Sequence, residues 1–134
     1  MLKVDNIQVS IASVEVLRGF SLEVPAGRMV GLVGRNGAGK TSLMRSVMGH
    51  LDITAGRLEF EGADLARMPR HARAGLGIGY MPEDRGLVPE LTVEENILAI
   101  LETCKLSADE RKLRLKYLLD ELDISRLAKS KAYT

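Results

Sequence analysis

The chain has no tryptophan, one cysteine, and only two phenylalanines and three tyrosines among 134 residues. With Cys104 alone, an internal disulfide and a multi-cysteine metal site are excluded. The expected setting is a reducing one such as the cytosol, with Cys104 a small apolar filler. A core so poor in aromatics is built from aliphatic residues and methionine, which suits a buried parallel sheet. An excess of one charge is also missing: 19 basic side chains stand against 18 acidic ones, a formal net charge of +1. That balance gives no general reason to expect nucleic acid or an anionic lipid surface as partner. No run approaches the roughly 18 apolar residues of a membrane span, and Met1-Leu2-Lys3-Val4-Asp5 does not read as a secretory signal. The expectation is a chain that neither crosses a membrane nor enters a secretory route by itself.

Glycine, by contrast, is plentiful, and its placement is informative. Gly34-Arg35-Asn36-Gly37-Ala38-Gly39-Lys40-Thr41 follows the apolar run Met29-Val30-Gly31-Leu32-Val33, which puts G-x-x-x-x-G-K-[ST] where a strand turns into a helix. Glycines there let successive backbone N–H groups point inward around phosphates. Lys40 adds a point charge, and the Thr41 hydroxyl can ligate Mg²⁺. The plain alternative is a glycine-rich turn between strand and helix.

Periodicity organises the rest. Leu2, Val4, Ile7 and Val9 are spaced as an extended segment with one change of phase, and Phe20, Leu22 and Val24 alternate. Two strands that can pair antiparallel therefore precede the loop. Pro25-Ala26-Gly27 predicts a turn and Met29–Val33 a buried strand. Residues 39–48 predict a helix with Leu43, Met44, Val47, Met48 and Leu51 on one face. Leu58 and Phe60 alternate with charged residues before Gly62-Ala63-Asp64, which should turn the chain, and Pro69 can start a short helix to about Ala74. Ile78–Met81 reads as a brief strand, and the loop from Pro82 to Pro89, at a strand end, is a site candidate. Thr92-Val93-Glu94-Glu95 and Ser107-Ala108-Asp109-Glu110 have capping-box spacing. Each precedes an apolar stripe, Ile97, Leu98 and Leu101 in one and Leu115, Leu118, Leu119 and Leu122 in the other. These stripes read as packing surfaces.

Four stretches together resemble the ATP-binding subunits of ABC transporters: the phosphate loop, Leu58-Glu59-Phe60-Glu61-Gly62, Gly77 to Arg85, and Leu91 to Asn96. The stretch from His71 to Ile97, above all Pro82-Glu83-Asp84-Arg85-Gly86, is most similar to the ATPases of branched-chain amino-acid importers and their urea- and amide-transporting relatives. The resemblance implies an α/β P-loop NTPase fold of the ABC nucleotide-binding type. Residues 1–134 would be the N-terminal part of one such domain: an antiparallel β region, a strand–phosphate loop–helix core, and a helical subdomain from about residue 90.

It further implies ATP and Mg²⁺ as ligands. The backbone of Gly34, Arg35, Asn36, Gly37, Ala38 and Gly39 would hold phosphates with Lys40, Thr41 would ligate Mg²⁺, and Ser42 would contact the α-phosphate side. Glu83 falls where many relatives carry the glutamine that approaches Mg²⁺ and the attacking water; a carboxylate still offers an oxygen to the metal but adds negative charge. The plain alternative for Glu83 is a solvated loop carboxylate paired with Arg85. Ile11 stands where this branch has an aromatic stacked on adenine, a contact Ile cannot make; the plain alternative is that Ile11 is an edge-strand aliphatic, with Val14 and Val16 also able to supply the apolar surface under the base.

The family's later signature, acidic strand end and switch histidine have no counterpart here, and His50 and His71 lie in the wrong contexts to substitute. The expectation is a first half of a nucleotide-binding domain that does not turn over ATP efficiently alone. In the whole protein, implied partners are transmembrane permease subunits, a second ATPase subunit and, indirectly, a solute-binding protein, with the ATPase peripheral on the cytoplasmic face. A non-hydrolysing nucleotide-binding module and a small P-loop phosphotransferase stay open as alternatives, the latter weakened by the β-like sequence ahead of the loop.

Overall fold

The alternation in residues 2–24 produces a long hairpin. In the computed structural model, which describes residues 1–84 and 86–133, β1 (Leu2–Ile11) and β2 (Val14–Val24) pair antiparallel from Leu2 opposite Val24 to Ile11 opposite Val14. The register slips between Val4 and Ile7, where Asn6 has a φ of 47°. This irregularity is the physical form of the phase change: the extra residue returns Ile7 to the face used by Val4. Val4, Ile7 and Val9 are all buried.

β3 (Ala55–Phe60) pairs antiparallel with the other side of β1, and β4 (Ala63–Asp64) folds back on β3, for a sheet order β2-β1-β3-β4. The chain therefore turns at Glu61-Gly62, and Ala63-Asp64, expected within the turn, re-enters the sheet. Lys3 faces Glu59 and Asp5 faces Arg57 across the β1–β3 ladder, opposite charges that favour this register.

α1 (Lys40–Met48) contributes Leu43 and Val47 to one core with Val4, Ile7, Val9, Leu17, Leu58 and Leu65. Burying each of these side chains contributes about 1.5–3 kcal/mol, so this cluster carries the stability of the first unit. Met48 and Leu51 are half-buried, but Met44, expected on the same stripe, is 41% exposed. One residue advances a helix by about 100°, and buried Ser46 takes the inward position instead, its hydroxyl donating to the Ser42 carbonyl at 2.9 Å. Pro69 precedes α2 (Arg70–Ala74) as predicted.

Two strand expectations fail. Residues 29–33 form no strand, with Met29 99% and Val33 95% exposed, and residues 78–81 form none either, with Met81 85% exposed. A continuous apolar run signals a strand covered on both faces and paired at its edges. Among the described residues no strand lies beside either segment; the sheet that does form is the antiparallel β region expected ahead of the loop, and the buried parallel sheet suggested by the aliphatic composition is not seen among the described residues.

The chain divides into two compact units, Met1–Tyr80 and Met81–Thr134. In the second, α3 (Val93–Thr103) and α4 (Ala108–Glu121) both start with complete capping boxes. Thr92 N–H donates to Glu95 at 2.7 Å and Ser107 N–H to Glu110 at 2.8 Å. These bonds hold both carboxyls below the usual glutamate range: the Thr92 backbone bond leads for Glu95, the Ser107 side-chain bond for Glu110. Leu101 and Leu119 are buried and Leu115 and Leu118 half-buried, whereas Leu122, expected on the α4 stripe, is 60% exposed where the helix ends. The segment 128–132 returns across the start of α3. Val93 N–H donates to Ser130 O and Glu94 N–H to Ala128 O, each at 3.0 Å, which satisfies two donors that a helix start leaves without an internal partner. Lys129 pairs with Glu94, and that hydrogen bond raises the lysine's pKa.

Candidate functional site

The loop between residues 34 and 39 is built from its backbone. Ala38 N–H donates to Arg35 O at 3.1 Å, Gly37 has a φ of 82°, and Gly39 has a φ of 93° as the residue that opens α1. A Cβ on Gly39 would stand 2.7 Å from Leu17 Cδ2 and 2.9 Å from Val16 O. The α1 N-terminus is thus seated directly on β2, and only glycine fits both the left-handed backbone and the gap. Gly39→Ala is expected to cost about 1–3 kcal/mol, read as a lower midpoint in thermal or urea unfolding. An unchanged midpoint would contradict the close seating. Below the loop a cavity of about 70 Å³ is lined by Leu17, Phe20, Leu32, Gly39 and Leu43.

Half-buried Lys40 folds back over this loop, its Nζ donating to Gly34 O at 2.5 Å and Arg35 O at 2.8 Å. Its ammonium therefore lies at the mouth of the loop, where an ammonium's three donors can be redirected to an anion. Thr41 is exposed and Ser42 half-buried in the first turn of α1. That turn differs from the other two long helices. α3 and α4 start with side-chain caps and acidic residues, whereas α1 has no side-chain cap and no acidic residue in its first turn. Helix N-termini of this kind, with a positive dipole end and inward N–H groups, favour negative charge.

Gly34 through Ser42 are contiguous in the first unit. Glu83 belongs to the second, exposed in a turn in which Gly86 N–H donates to Asp84 Oδ1 at 3.3 Å. Arg85, the alternative partner for Glu83, lies outside the described residues. Ile11 ends β1 at the hairpin tip, where Ala12 and Ser13 have φ of 47° and 68°; Ile11 is 41% and Val14 64% exposed. His50 and His71 are both exposed, His50 Nδ1 lying 3.4 Å from Arg70 Nη1.

Arg73 was not legible in the sequence. It is 5% exposed, and its Nη1 donates to Ser46 O at 2.7 Å and Val47 O at 2.9 Å while Nε donates to Met68 O at 3.2 Å. The guanidinium thereby caps the C-terminal carbonyls of the helix whose N-terminus carries Lys40. Burial lowers its pKa, opposed by the charges of Asp52 and Asp64. Nothing in the periodicity separates Arg73 from exposed Arg67 and Arg70.

The fold and the loop define the P-loop NTPase class. The chain belongs to the ABC transporter family, whose model, described as ABC transporter, matches residues 17–134. An uncharacterized ABC transporter ATP-binding protein of Rhizobium meliloti is 42% identical over 123 residues, covering 92% of this chain and 46% of that protein. The lipopolysaccharide export system ATP-binding protein LptB of Haemophilus influenzae is 37% identical over 128 residues, covering 95% of this chain and 53% of that one. The chain thus spans about half the length of the curated relatives it matches. Among solved structures, an ATP binding subunit of an ABC transporter superposes with a TM-score of 0.81 at 30% identity, covering 98% of this chain and 54% of that chain. A dimeric ATP-binding cassette in a post-hydrolysis state with ADP and Pi has a TM-score of 0.82 at 20% identity, covering 98% and 62%, a likeness of fold alone.

Proposed function

We propose that residues 34–42 hold the phosphates of Mg·ATP and that the chain serves as part of the ATP-hydrolysing subunit of an ABC transporter. The observation that carries this is the uncapped start of α1, free of acidic side chains and overhung by the Lys40 ammonium. Backbone N–H groups and Lys40 would neutralise the phosphates, and the Thr41 hydroxyl would offer an oxygen to Mg²⁺. Bound Mg²⁺ supplies charge neutralisation across the phosphate oxygens. Mg²⁺ would be held beside the phosphates by the Thr41 hydroxyl, with Glu83 as a further oxygen donor.

Phosphoryl transfer needs positioned phosphates, a metal held by acidic groups and an oriented water; this chain provides the first. Its function within these 134 residues is therefore binding, with hydrolysis a property of the whole protein, in which a second ATPase subunit and membrane-embedded permease subunits complete the machine. Among the described residues no helix is long and apolar enough to cross a membrane, in keeping with a peripheral place on the cytoplasmic face. For the solute, the Pro82–Gly86 resemblance favours a branched-chain or related amino acid. The similarity to LptB supports lipopolysaccharide export as the second reading.

Titrating the chain with Mg·ATP while following phosphate release tests the proposal. Binding without release is the expected result; phosphorylation of an added acceptor would point to a phosphotransferase, and no binding would overturn it. Glu83→Gln is expected to shift the Mg²⁺ dependence of ATP binding, and superimposable curves would remove the carboxylate from the metal's surroundings.

A further inference from the structure

α4 carries two apolar faces. Leu115, Leu118 and Leu119 turn one of them inward, half-buried or buried. Leu113 and Tyr117 lie about half a turn round the helix from these, and are 73% and 52% exposed. A helix at the surface of a unit needs one apolar face; the second one here lines a groove of about 690 Å³ that Leu106 also borders. Its spacing is that of a helix-pairing seam. Glu110, Leu113, Tyr117 and Asp120 recur at alternating intervals of three and four residues, the 3.5-residue repeat along which one α-helix packs on another. Read along α4, the seam is acidic, apolar, apolar, acidic, and Arg114 and Lys116 stand on its two rims beside the apolar pair. The Arg114 guanidinium lies over the Tyr117 ring, 5.2 Å from its centre, which keeps the ring ordered for contact. Both seam carboxylates are held as well: Glu110 accepts from Ser107 N–H at 2.8 Å and Asp120 Oδ1 from Ser125 Oγ at 2.5 Å.

This charge order selects among occupants. A second copy of α4 brings carboxylate onto carboxylate in either direction. In a parallel pair Glu110 and Asp120 each meet their own copy, and in an antiparallel pair with Leu113 on Tyr117, Glu110 meets Asp120; like charges so placed oppose association. A bilayer is no better served, because the two carboxylates would enter it with the apolar pair. A helix of inverse pattern satisfies every group at once. We propose that this face of α4 docks an amphipathic helix of another polypeptide, one with two apolar seam residues against Leu113 and Tyr117, basic residues at the seam positions beyond them, and acidic residues along its rims.

The probe is a capped helical peptide with Leu at two central seam positions, Lys at the seam positions on either side and Glu on both rims. Its control has the Lys and Glu exchanged and the leucines kept. Titrated with the 134-residue chain by fluorescence anisotropy, the first peptide is expected to bind about tenfold more tightly than the control, since several ion pairs change sign together. Leu113→Gln/Tyr117→Gln should weaken it about tenfold or more while helix content by circular dichroism and Mg·ATP affinity stay as in wild type. Arg114→Glu/Lys116→Glu should weaken the first peptide and strengthen the control, a reversal that loss of structure cannot produce, and it decides the matter if the other variant does not fold. Equal binding of the two peptides, or none at millimolar concentration, overturns the proposal. So do two other results: a dimer in sedimentation that Leu113→Gln/Tyr117→Gln abolishes, which assigns the face to a second copy, and binding to phosphatidylglycerol vesicles that the same variant abolishes, which assigns it to a bilayer.

Discussion

Lys40→Ala is expected to weaken Mg·ATP binding by roughly 10- to 100-fold. The figure follows from removing charge-assisted hydrogen bonds worth about 1.5–3 kcal/mol, at about 1.4 kcal/mol per tenfold. In this structure the ammonium rests on Gly34 O and Arg35 O, so the lysine also holds the loop before any anion arrives, and its loss removes both charge and preorganisation. Stability should change little, because a half-exposed side chain bonded to surface carbonyls contributes about 1 kcal/mol or less. The two readouts therefore separate: titration calorimetry or a fluorescent ATP analogue reports the loss, while the unfolding midpoint stays near that of wild type. Unchanged affinity would sink the phosphate-loop assignment. Lys40→Arg should recover only part of the affinity, since a planar fork does not replace a compact point charge among converging N–H groups.

How much of this was legible depends on how local each feature is. The capping boxes at Thr92–Glu95 and Ser107–Glu110 are interactions within four residues, and both form as their spacing predicts. The change of phase in β1 is also local and becomes the irregularity at Asn6. The start of α1 at Lys40 agrees with the expectation of a helix from residue 39, one residue being within the usual uncertainty of helix ends. Residues 29–33 behave differently because a strand is a relation between segments. Their β-like composition is unmistakable, yet without a neighbour to share hydrogen bonds the run is exposed and irregular. Arg73 lies at the other extreme. Its role exists only because Ser46, Val47 and Met68 carbonyls converge on one point, and no pattern in the chain encodes that convergence.

Arg73→Met is accordingly expected to produce the largest loss of stability, about 2–4 kcal/mol, although it exchanges one long side chain for another. The substitution removes the guanidinium from all three carbonyls; Ser46 O keeps the Gly49 N–H at 3.1 Å, but the Val47 and Met68 carbonyls lose the side-chain donor, and each buried group left unpaired costs about 1–3 kcal/mol. It also removes a cation from the negative end of the α1 dipole. Against this, the burial that lowers the Arg73 pKa is a cost of the charged form that methionine avoids, which holds the net below the simple sum. Urea unfolding measures it, and a change under 0.5 kcal/mol would show that water replaces the guanidinium without penalty. Gly49 supplies an internal check. It ends α1 with a φ of 77°, and a Cβ there would stand 2.8 Å from Arg73 Cζ. In wild type, Gly49→Ala must both strain the backbone and displace the guanidinium; in Arg73→Met only the strain remains. The double variant should therefore lose less than the two single losses added together, by about 0.5–3 kcal/mol. Strict additivity would mean that the close approach of Gly49 and Arg73 does not govern how the phosphate-loop helix ends.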